Sequence, residues 1–277
     1  MANYPIEVAN ISDTGQKRPH NEDSAVTDTS LGLAVVADGM GGYKAGEVAS
    51  AIAAQLIHDA IGANFKDLHK GAVDPASGLT NASVVLRDAV SHANSEVFRT
   101  AQEVPQCQGM GTTVVVVLYH GDKVSIAHVG DSRVYRLRGE EFVQVTRDHS
   151  LIQELIDRGF FTPEEAAENT PKNLVTRALG IELNVEVDVQ EQDVVEGEIY
   201  LLCSDGLNDM VDDEEIHLTL SKYSANLAEA AQELIRLANE KGGKDNVSVV
   251  LVRPQKSAGA SSSGLLAKFN SFVKKGS

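Results

Sequence analysis

The sequence is poor in the residues that mark several protein classes. It has two cysteines, no tryptophan and only 5% aromatic residues over 277 positions. Cys107 and Cys203 match no zinc or redox spacing, which favours a reduced, cytoplasmic protein. No apolar run approaches the roughly 18 residues of a spanning helix, and the N-terminus lacks the basic start and apolar stretch of a signal peptide. These absences argue against a secreted or membrane-spanning protein.

Positive charge is also scarce. The chain carries 40 acidic and 24 basic residues, a net charge of −16. Residues 254–277 hold four lysines and no acidic residue, which leaves −20 on the remainder. Because nucleic-acid affinity comes mainly from cationic contacts to phosphate, this acidic body predicts no nucleic-acid partner. Hydrophobic residues make up 42% of the chain, enough for a large core in one or two domains.

Hydrophobic periodicity predicts groups of strands separated by groups of helices. From the N-terminus, the predicted elements are strands at 6–13, 23–28 and 31–37, helices at 48–60 and 79–103, strands at 112–119, 124–129, 132–137 and 142–146, two short helices within 147–180, strands at 185–194 and 198–204, helices at 212–221 and 226–241, and a strand at 247–252. Short connections predict that the four strands of 112–146 form an antiparallel meander. The segregation of strands and helices predicts an α+β fold.

Five short acidic motifs stand out, and in four of them an Asp sits beside Gly or Asn at the end of an apolar, β-rich run. They are RPHNED at 18–23, VADGMGG at 36–42, VGDSR at 129–133, CSDG at 203–206 and GKDNVSVV at 243–250. Mg²⁺ and Mn²⁺ prefer carboxylate, carbonyl and water oxygens. Asp38, Asp205 and Asp245 suit such a site, because each has a Gly or Asn neighbour that lets the backbone approach an ion. A single Asp-Gly after a strand is usually only a turn, so the joint occurrence of the motifs carries the prediction.

The motifs and their order resemble the metal-dependent serine/threonine protein phosphatases, the PPM or type 2C family, over roughly residues 6–253. The resemblance implies a four-layer αββα sandwich, in which helix pairs flank two antiparallel β-sheets. It implies hydrolysis of phosphoserine and phosphothreonine on proteins, by a hydroxide that bridges two Mn²⁺ or Mg²⁺ ions. The DGMGG form at 38–42 is typical of bacterial members. Such a protein would be monomeric and would oppose a Ser/Thr kinase or act on its substrates.

The resemblance also implies the metal ligands. Asp38 would bridge the two ions, and Gly39 would offer its carbonyl to one of them. Asp205 and Asp245 would bind the other ion. Bacterial relatives often hold a third, weaker ion, for which Asp131 and Asp205 would be the ligands.

Four further motif residues are implied to support catalysis. Arg18 would clamp the substrate phosphate, because a guanidinium matches phosphate oxygens with two parallel hydrogen bonds. Asp23 would act through metal-bound water. Glu22 and Asn246 would shape and orient the site rather than bind metal.

One position departs from many relatives. Met40 stands where eukaryotic members carry a histidine assigned as the general acid, and Tyr43 stands where bacterial members often place one. Metal-bound water is the first candidate for the leaving-group acid, and His20 is the second. Because the implied mechanism forms no covalent phosphoenzyme, Cys107 and Cys203 are predicted not to be nucleophiles.

The resemblance implies a catalytic domain at 1–253 with a flap at about 147–180. Composition and periodicity predict a flexible linker at 254–264 and a basic amphipathic tail at 265–275. Contact of the tail with an anionic membrane, docking on a partner or on the acidic body, and no role are open alternatives. Two functions rival the phosphatase hypothesis. One is a catalytically weak regulatory module that binds phosphoproteins, and the other is a two-metal hydrolase of another phosphoester.

Overall fold

The structure is a computed structural model that describes residues 5–42, 45–68, 72–163, 165–166, 171 and 174–255. The strands are β1 (Ile6–Asp13), β2 (Asp23–Asp28), β3 (Leu33–Met40), β4 (Gly111–Thr112), β5 (Val114–His120), β6 (Lys123–Val129), β7 (Arg133–Arg138), β8 (Glu141–Gln144), β9 (Asp188–Asp193), β10 (Ile199–Cys203) and β11 (Val247–Pro254). The described helices are α1 (Ala45–Leu68), α2 (Asn81–Glu103), α3 (Leu151–Asp157), α4 (Asp205–Asn208), α5 (Asp213–Lys222) and α6 (Leu227–Glu240).

Two antiparallel sheets stack face to face. One sheet has the order β1-β11-β10-β7-β8 and the other β2-β3-β5-β6-β9, with β4 paired to β3. Apolar side chains of both sheets fill the space between them, among them Val36, Val117, Leu202 and Val250. Helices α1 and α2 cover the outer face of the second sheet, and α5 and α6 cover that of the first. The predicted α+β sandwich of four layers is therefore confirmed.

Helix α1 packs through a different face from the one its larger residues indicate. The sequence pattern points to the stripe from Val48 to Ala60, but Val48 is exposed. The fully buried stripe is Ala49, Ala53, Ile57 and Ile61. Small residues near the helix start allow a close approach to the sheet, which turns the alanine face inward.

The chain changes sheets between β6 and β7, so the predicted meander over 112–146 is wrong. Strands β5 and β6 form a hairpin in one sheet, whereas β7 pairs with β8 and β10 in the other. Gly130 permits the sharp change of direction: its φ is 108°, and a Cβ there would lie 2.6 Å from the Cβ of Thr113. The crossing brings Asp131 to the point where the two sheets meet.

The predicted strand at 31–37 also stops too early. Strand β3 continues through Asp38 to Met40, and Asp38 lies opposite Asp23 of β2 in the antiparallel register. At the other end of the described chain, β11 extends to Pro254. The rest of the predicted linker and the whole predicted tail, residues 256–277, lie outside the described residues. Within the described ranges, no helix combines the length and apolarity needed to cross a membrane.

Candidate active site

A cavity of about 220 Å³ opens where the two sheets meet, and four aspartates from different connections line it. Asp38 comes from the end of β3 and Asp131 from the β6–β7 crossing. Asp205 is the first residue of α4, and Asp245 precedes β11. The remaining lining residues are Arg18, Glu22, Gly39, Met40, Gly41, Thr113, Val175 and Asn246. The structure thus brings together residues that are more than 200 positions apart in the sequence.

Burial and repulsion between carboxylates raise the pKa values of three of these carboxyl groups, those of Asp38, Asp131 and Asp205. Burial and the charges of four neighbouring aspartates raise the pKa of Asp38 well above its ordinary value. Burial and Asp131 raise the pKa of Asp205 to about 8, and burial and Asp148 raise that of Asp131 to about 6. A divalent cation would relieve this repulsion, and carboxylate and carbonyl oxygens are the donors that Mn²⁺ and Mg²⁺ prefer. The residues therefore fit a hard-metal site.

Asp23 lies behind this cavity, and only one of its two carboxylate oxygens is hydrogen-bonded among the described residues. Its Oδ2 accepts hydrogen bonds of 2.7 Å from both Ser204 and Ser248. Its Oδ1 is buried and has no hydrogen-bond partner among the described residues. Burial, opposed by the two serine hydroxyls, raises the pKa of Asp23 to about 6. An orphaned buried oxygen next to Asp38 is what a water or ion in the site would satisfy.

Arg18 and Asn246 hold the N-terminal loop against the start of β11. The Arg18 Nη2 donates to Asp245 Oδ2 at 2.6 Å. The Asn246 side chain accepts from the Glu22 backbone N–H at 2.8 Å and donates to the carbonyls of Thr14 and His20 at 2.9 Å. The side-chain oxygen and nitrogen of Asn246 are thereby both engaged with backbone groups.

Gly39 and Gly46 allow β3 and α1 to touch through their backbones. A Cβ on Gly39 would lie 2.1 Å from the Gly46 carbonyl oxygen and 2.5 Å from that of Glu22. Gly39 and Gly46 therefore serve a tight crossing from strand to helix.

Comparison with known proteins agrees with this geometry. The profile of the family described as "Protein phosphatase 2C" matches residues 16–246. The chain belongs to the protein phosphatase 2C family. It is 38% identical to the serine/threonine phosphatase stp of Listeria monocytogenes over 247 residues, and this alignment covers 87% of this chain and 93% of that protein. It is 41% identical to the serine/threonine protein phosphatase PstP of Mycobacterium tuberculosis over 247 residues, and this alignment covers 89% of this chain and 44% of that protein.

A solved structure gives the same result for the fold. The catalytic domain of PstP, in complex with two manganese ions, superposes with a TM-score of 0.76 at 38% identity, over 91% of this chain and 99% of that one. The protein is accordingly a metal-dependent serine/threonine protein phosphatase of the bacterial type.

The phosphatase keeps its cysteines away from this chemistry. Cys107 and Cys203 are buried free thiols. Neither is among the described residues that line the cavity. Burial raises the pKa of Cys203 to about 12, so it is a protonated thiol at neutral pH. Met40 lines the cavity, whereas His20 is exposed and is not among the described lining residues. Tyr43 lies outside the described residues.

The segment 147–180, predicted as a flap, contributes Val175 to the part of the cavity wall that the structure describes. Val175 lines the cavity, while Ser150 and Ile152 line a neighbouring one of about 160 Å³ that shares Asp131 and Asp205 with it. The two short helices predicted within 147–180 begin with side-chain caps: Ser150 caps α3, and Thr162 and Glu165 exchange the reciprocal bonds of a capping box.

The serines that hold Asp23 are site residues that the sequence reasoning missed. Ser204 and Ser248 stand inside two of the five motifs, but a serine beside a strand is too common to single out. Their shared signal is position: Ser204 precedes Asp205, and Ser248 lies three residues after Asp245.

We expect Ser248→Ala to weaken Mn²⁺ binding about tenfold, because partners that orient a metal site typically contribute 10- to 100-fold to affinity. The pKa of Asp23 should rise further when one of its two hydroxyl donors is lost. Isothermal titration calorimetry with Mn²⁺ would measure the affinity. Ser12→Ala is the matched control, since Ser12 bonds Ser248 at 2.8 Å and makes no described hydrogen bond to Asp23. Equal affinities in wild type and Ser248→Ala would contradict the expectation.

Proposed function

We propose that the cavity holds two divalent ions, Mn²⁺ or Mg²⁺, and that the family resemblance assigns their ligands correctly. Asp38 would bridge the ions, with the Gly39 carbonyl beside it, and Asp205 and Asp245 would bind the second ion. Asp131, with Asp205, would bind a third and weaker one. The observation that carries the proposal is the convergence of these four carboxyl groups on one cavity, and three of them, those of Asp38, Asp205 and Asp131, have raised pKa values. When bound, the ions would activate water and neutralise phosphoryl charge.

Arg18 would bind the substrate phosphate at the mouth of the cavity. Its side chain is 50% exposed and is tied to Asp245 through Nη2 alone among the described residues. The other guanidinium nitrogens remain available to phosphate oxygens, which a planar guanidinium contacts in pairs. Arg18 would therefore orient the phosphoryl group for attack from the carboxylate side of the cavity.

Three residues would keep the site in order during turnover. Asp23 would accept a hydrogen bond from a water through its free Oδ1, while Ser204 and Ser248 hold its other oxygen. Asn246 would keep the Arg18 loop in place through its three backbone contacts. Glu22 lines the cavity, and burial raises its pKa. It is the residue that would shape the rim beside the phosphate.

The substrates would be phosphorylated proteins, in particular a Ser/Thr kinase or the proteins that it phosphorylates. The flap at about 147–180 would influence their entry, since Val175 already lies in the cavity wall. We place the protein in the cytoplasm, in keeping with its two free thiols, and infer that it acts as a monomer, because one chain supplies the whole site. Membrane contact through the tail concerns residues outside those described and stays a less favoured alternative.

The proposal is tested by phosphate release from a phosphothreonine peptide with Mn²⁺ and with EDTA. We expect Mn²⁺-dependent release, and a fall in kcat/KM of roughly 10- to 100-fold for Arg18→Lys, since a charge-assisted hydrogen-bond pair is worth about 1.5–3 kcal/mol. Arg87→Lys on α2 keeps the same chemical change away from the cavity and should retain wild-type activity. Release that persists in EDTA would contradict the metal dependence.

The alternative function has a distinct outcome in the same assay. A regulatory module would bind the phosphopeptide and Mn²⁺ but release no phosphate. A hydrolase of other phosphoesters would act on p-nitrophenyl phosphate and leave phosphopeptides untouched. Dephosphorylation of an autophosphorylated Ser/Thr kinase would support the kinase partnership.

A further inference from the structure

His149 makes both of the backbone hydrogen bonds of Gly130, the residue before Asp131. Its backbone N–H donates to the Gly130 carbonyl at 3.0 Å. Its ring Nδ1 accepts from the Gly130 N–H, also at 3.0 Å and in a buried environment. Nineteen residues separate the two partners, so the contact joins the start of the flap to the β6–β7 crossing. The backbone on the N-terminal side of Asp131 is thus held by one residue, His149, through both its side chain and its main chain.

These contacts define the protonation state of the ring. Since Nδ1 accepts a hydrogen bond, the ring is neutral and carries its proton on Nε2. Nε2 lies 3.3 Å from Asp188 Oδ2, a suitable acceptor. Burial, together with His128 and Arg177, lowers the pKa of His149 to about 4, which agrees with a neutral ring.

The same contacts exclude an obvious alternative, a metal ion held by His128, His149 and Asp188. Ligand atoms of these three residues lie within 4.8 Å of one another. However, His149 Nε2 has no lone pair to offer while Nδ1 accepts from Gly130. Arg177 also occupies the cluster, with Nη1 at 2.9 Å from Asp188 Oδ1 and 3.1 Å from His149 Nε2. The guanidinium is therefore the cation of this cluster.

The other side of Asp131 is fixed independently. The Ser132 hydroxyl bonds the Thr113 hydroxyl at 2.7 Å. Thr113 in turn exchanges contacts with Asp38: its N–H donates to the Asp38 carbonyl at 2.9 Å, and its Oγ1 accepts from the Asp38 N–H at 3.2 Å. One neighbour of Asp131 is therefore attached to the bridging aspartate, and the other neighbour is attached to His149.

His149 is itself held by the returning half of the flap. The Thr176 N–H donates to the His149 carbonyl at 2.8 Å, and the Leu151 N–H donates to the Leu174 carbonyl at 2.9 Å. The rings of His149 and His128 stack with centroids 4.7 Å apart. Both ends of the segment predicted as a flap thus meet at and beside His149.

We propose that His149 is a positioning residue for Asp131, which acts by accepting the Gly130 N–H through a neutral imidazole. The proposal rests on the assignment of Asp131 as a metal ligand under the proposed function. Loss of the acceptor leaves a buried N–H unpaired and frees the turn that carries the carboxylate, so the ion that depends on Asp131 binds more weakly. The base of the flap and the metal site are then coupled, because His149 belongs to the first and fixes the turn that carries Asp131 in the second.

The test compares two substitutions of the same shape. Asparagine carries an acceptor oxygen on Cγ where histidine carries Nδ1, whereas leucine has the same branching and no acceptor. Mn²⁺ binding to wild type, His149→Asn, His149→Leu and Asp131→Asn would be measured by calorimetry without substrate, after metal-free thermal melts have shown that each variant is folded. We expect His149→Leu to weaken the lowest-affinity Mn²⁺ site roughly 10- to 100-fold, as Asp131→Asn does. His149→Asn should bind close to wild type.

Each other outcome has a defined meaning. Wild-type binding by His149→Leu, with weakened binding by Asp131→Asn, overturns the positioning role and leaves the ligand assignment intact. Equal weakening in the asparagine and leucine variants overturns it as well, because the acceptor is then irrelevant. Unchanged binding by Asp131→Asn shows that the ligand assignment is wrong, and the proposal about His149 fails with it.

Discussion

Asp38→Asn is expected to reduce phosphate release from a phosphothreonine peptide by on the order of 10³-fold or more, with the fold intact. Asp38 lies at the centre of the cluster, since the charges of the other four aspartates all act on its pKa. Asparagine keeps its size and removes the charge that would join two ions. Initial rates at saturating Mn²⁺ would measure the loss.

The same variant should be more stable than wild type without metal. Metal-free wild type must either bury a charge on Asp38 among other carboxylates or keep a proton there that the unfolded chain releases, and asparagine avoids both costs. The rise in melting temperature on adding Mn²⁺ should shrink because less metal is bound. Asp122→Asn is the matched control. Asp122 is exposed in the turn of the β5–β6 hairpin, at the opposite end from the cavity, and its substitution should change neither quantity. A metal-free Asp38→Asn protein that melts below wild type would contradict the repulsion argument.

The acidic motifs allowed the fold and the cluster to be anticipated because they combine two local signals. Four of the five couple an apolar, β-rich run to an aspartate beside Gly or Asn, so the residue type and its place at a strand end are visible together. The position of β3 shows the limit of this reasoning. The strand continues past Asp38 because Gly39 and Met40 pair with β4, and that partner lies about 70 residues further along the chain.

Contacts between distant residues explain the remaining errors. The strands of 112–146 have connections short enough for a meander, and only the packing of Gly130 against Thr113 reveals the crossing between sheets. The ring of His149 bonds a backbone N–H, and the hydroxyls of Ser204 and Ser248 converge on Asp23. None of these contacts leaves a periodicity, a cap or a turn signature in the sequence, because each depends on tertiary geometry.

Metal-free protein is expected to lose stability as the pH rises from about 6.5 to 8.5. Asp205, with a pKa of about 8, and Asp38, with a pKa well above its ordinary value, retain protons in the fold that the unfolded chain has released. The unfolded state then binds fewer protons, so the free energy of unfolding falls with pH, by about 1.4 kcal/mol per pH unit for each retained proton. Thermal melts in EDTA would measure the trend.

Above about pH 6.5, the effect of the aspartates on stability can be separated from that of the buried histidines. The buried rings of His128 and His149 have lowered pKa values, so they make stability rise with pH, but only below about 6.5, where the unfolded rings are charged. The raised pKa of His58 acts in the same direction as the aspartates, and it is common to all variants.

Subtraction of the Asp38→Asn stability curve from that of wild type therefore isolates the contribution of the carboxylate cluster to the pH dependence. Saturating Mn²⁺ should remove the part of the downward slope that comes from the cluster, because a bound ion replaces the retained protons, and should leave the part that comes from His58. A slope that Asp38→Asn and Mn²⁺ both leave unchanged would show that the carboxylate cluster does not govern the pH dependence.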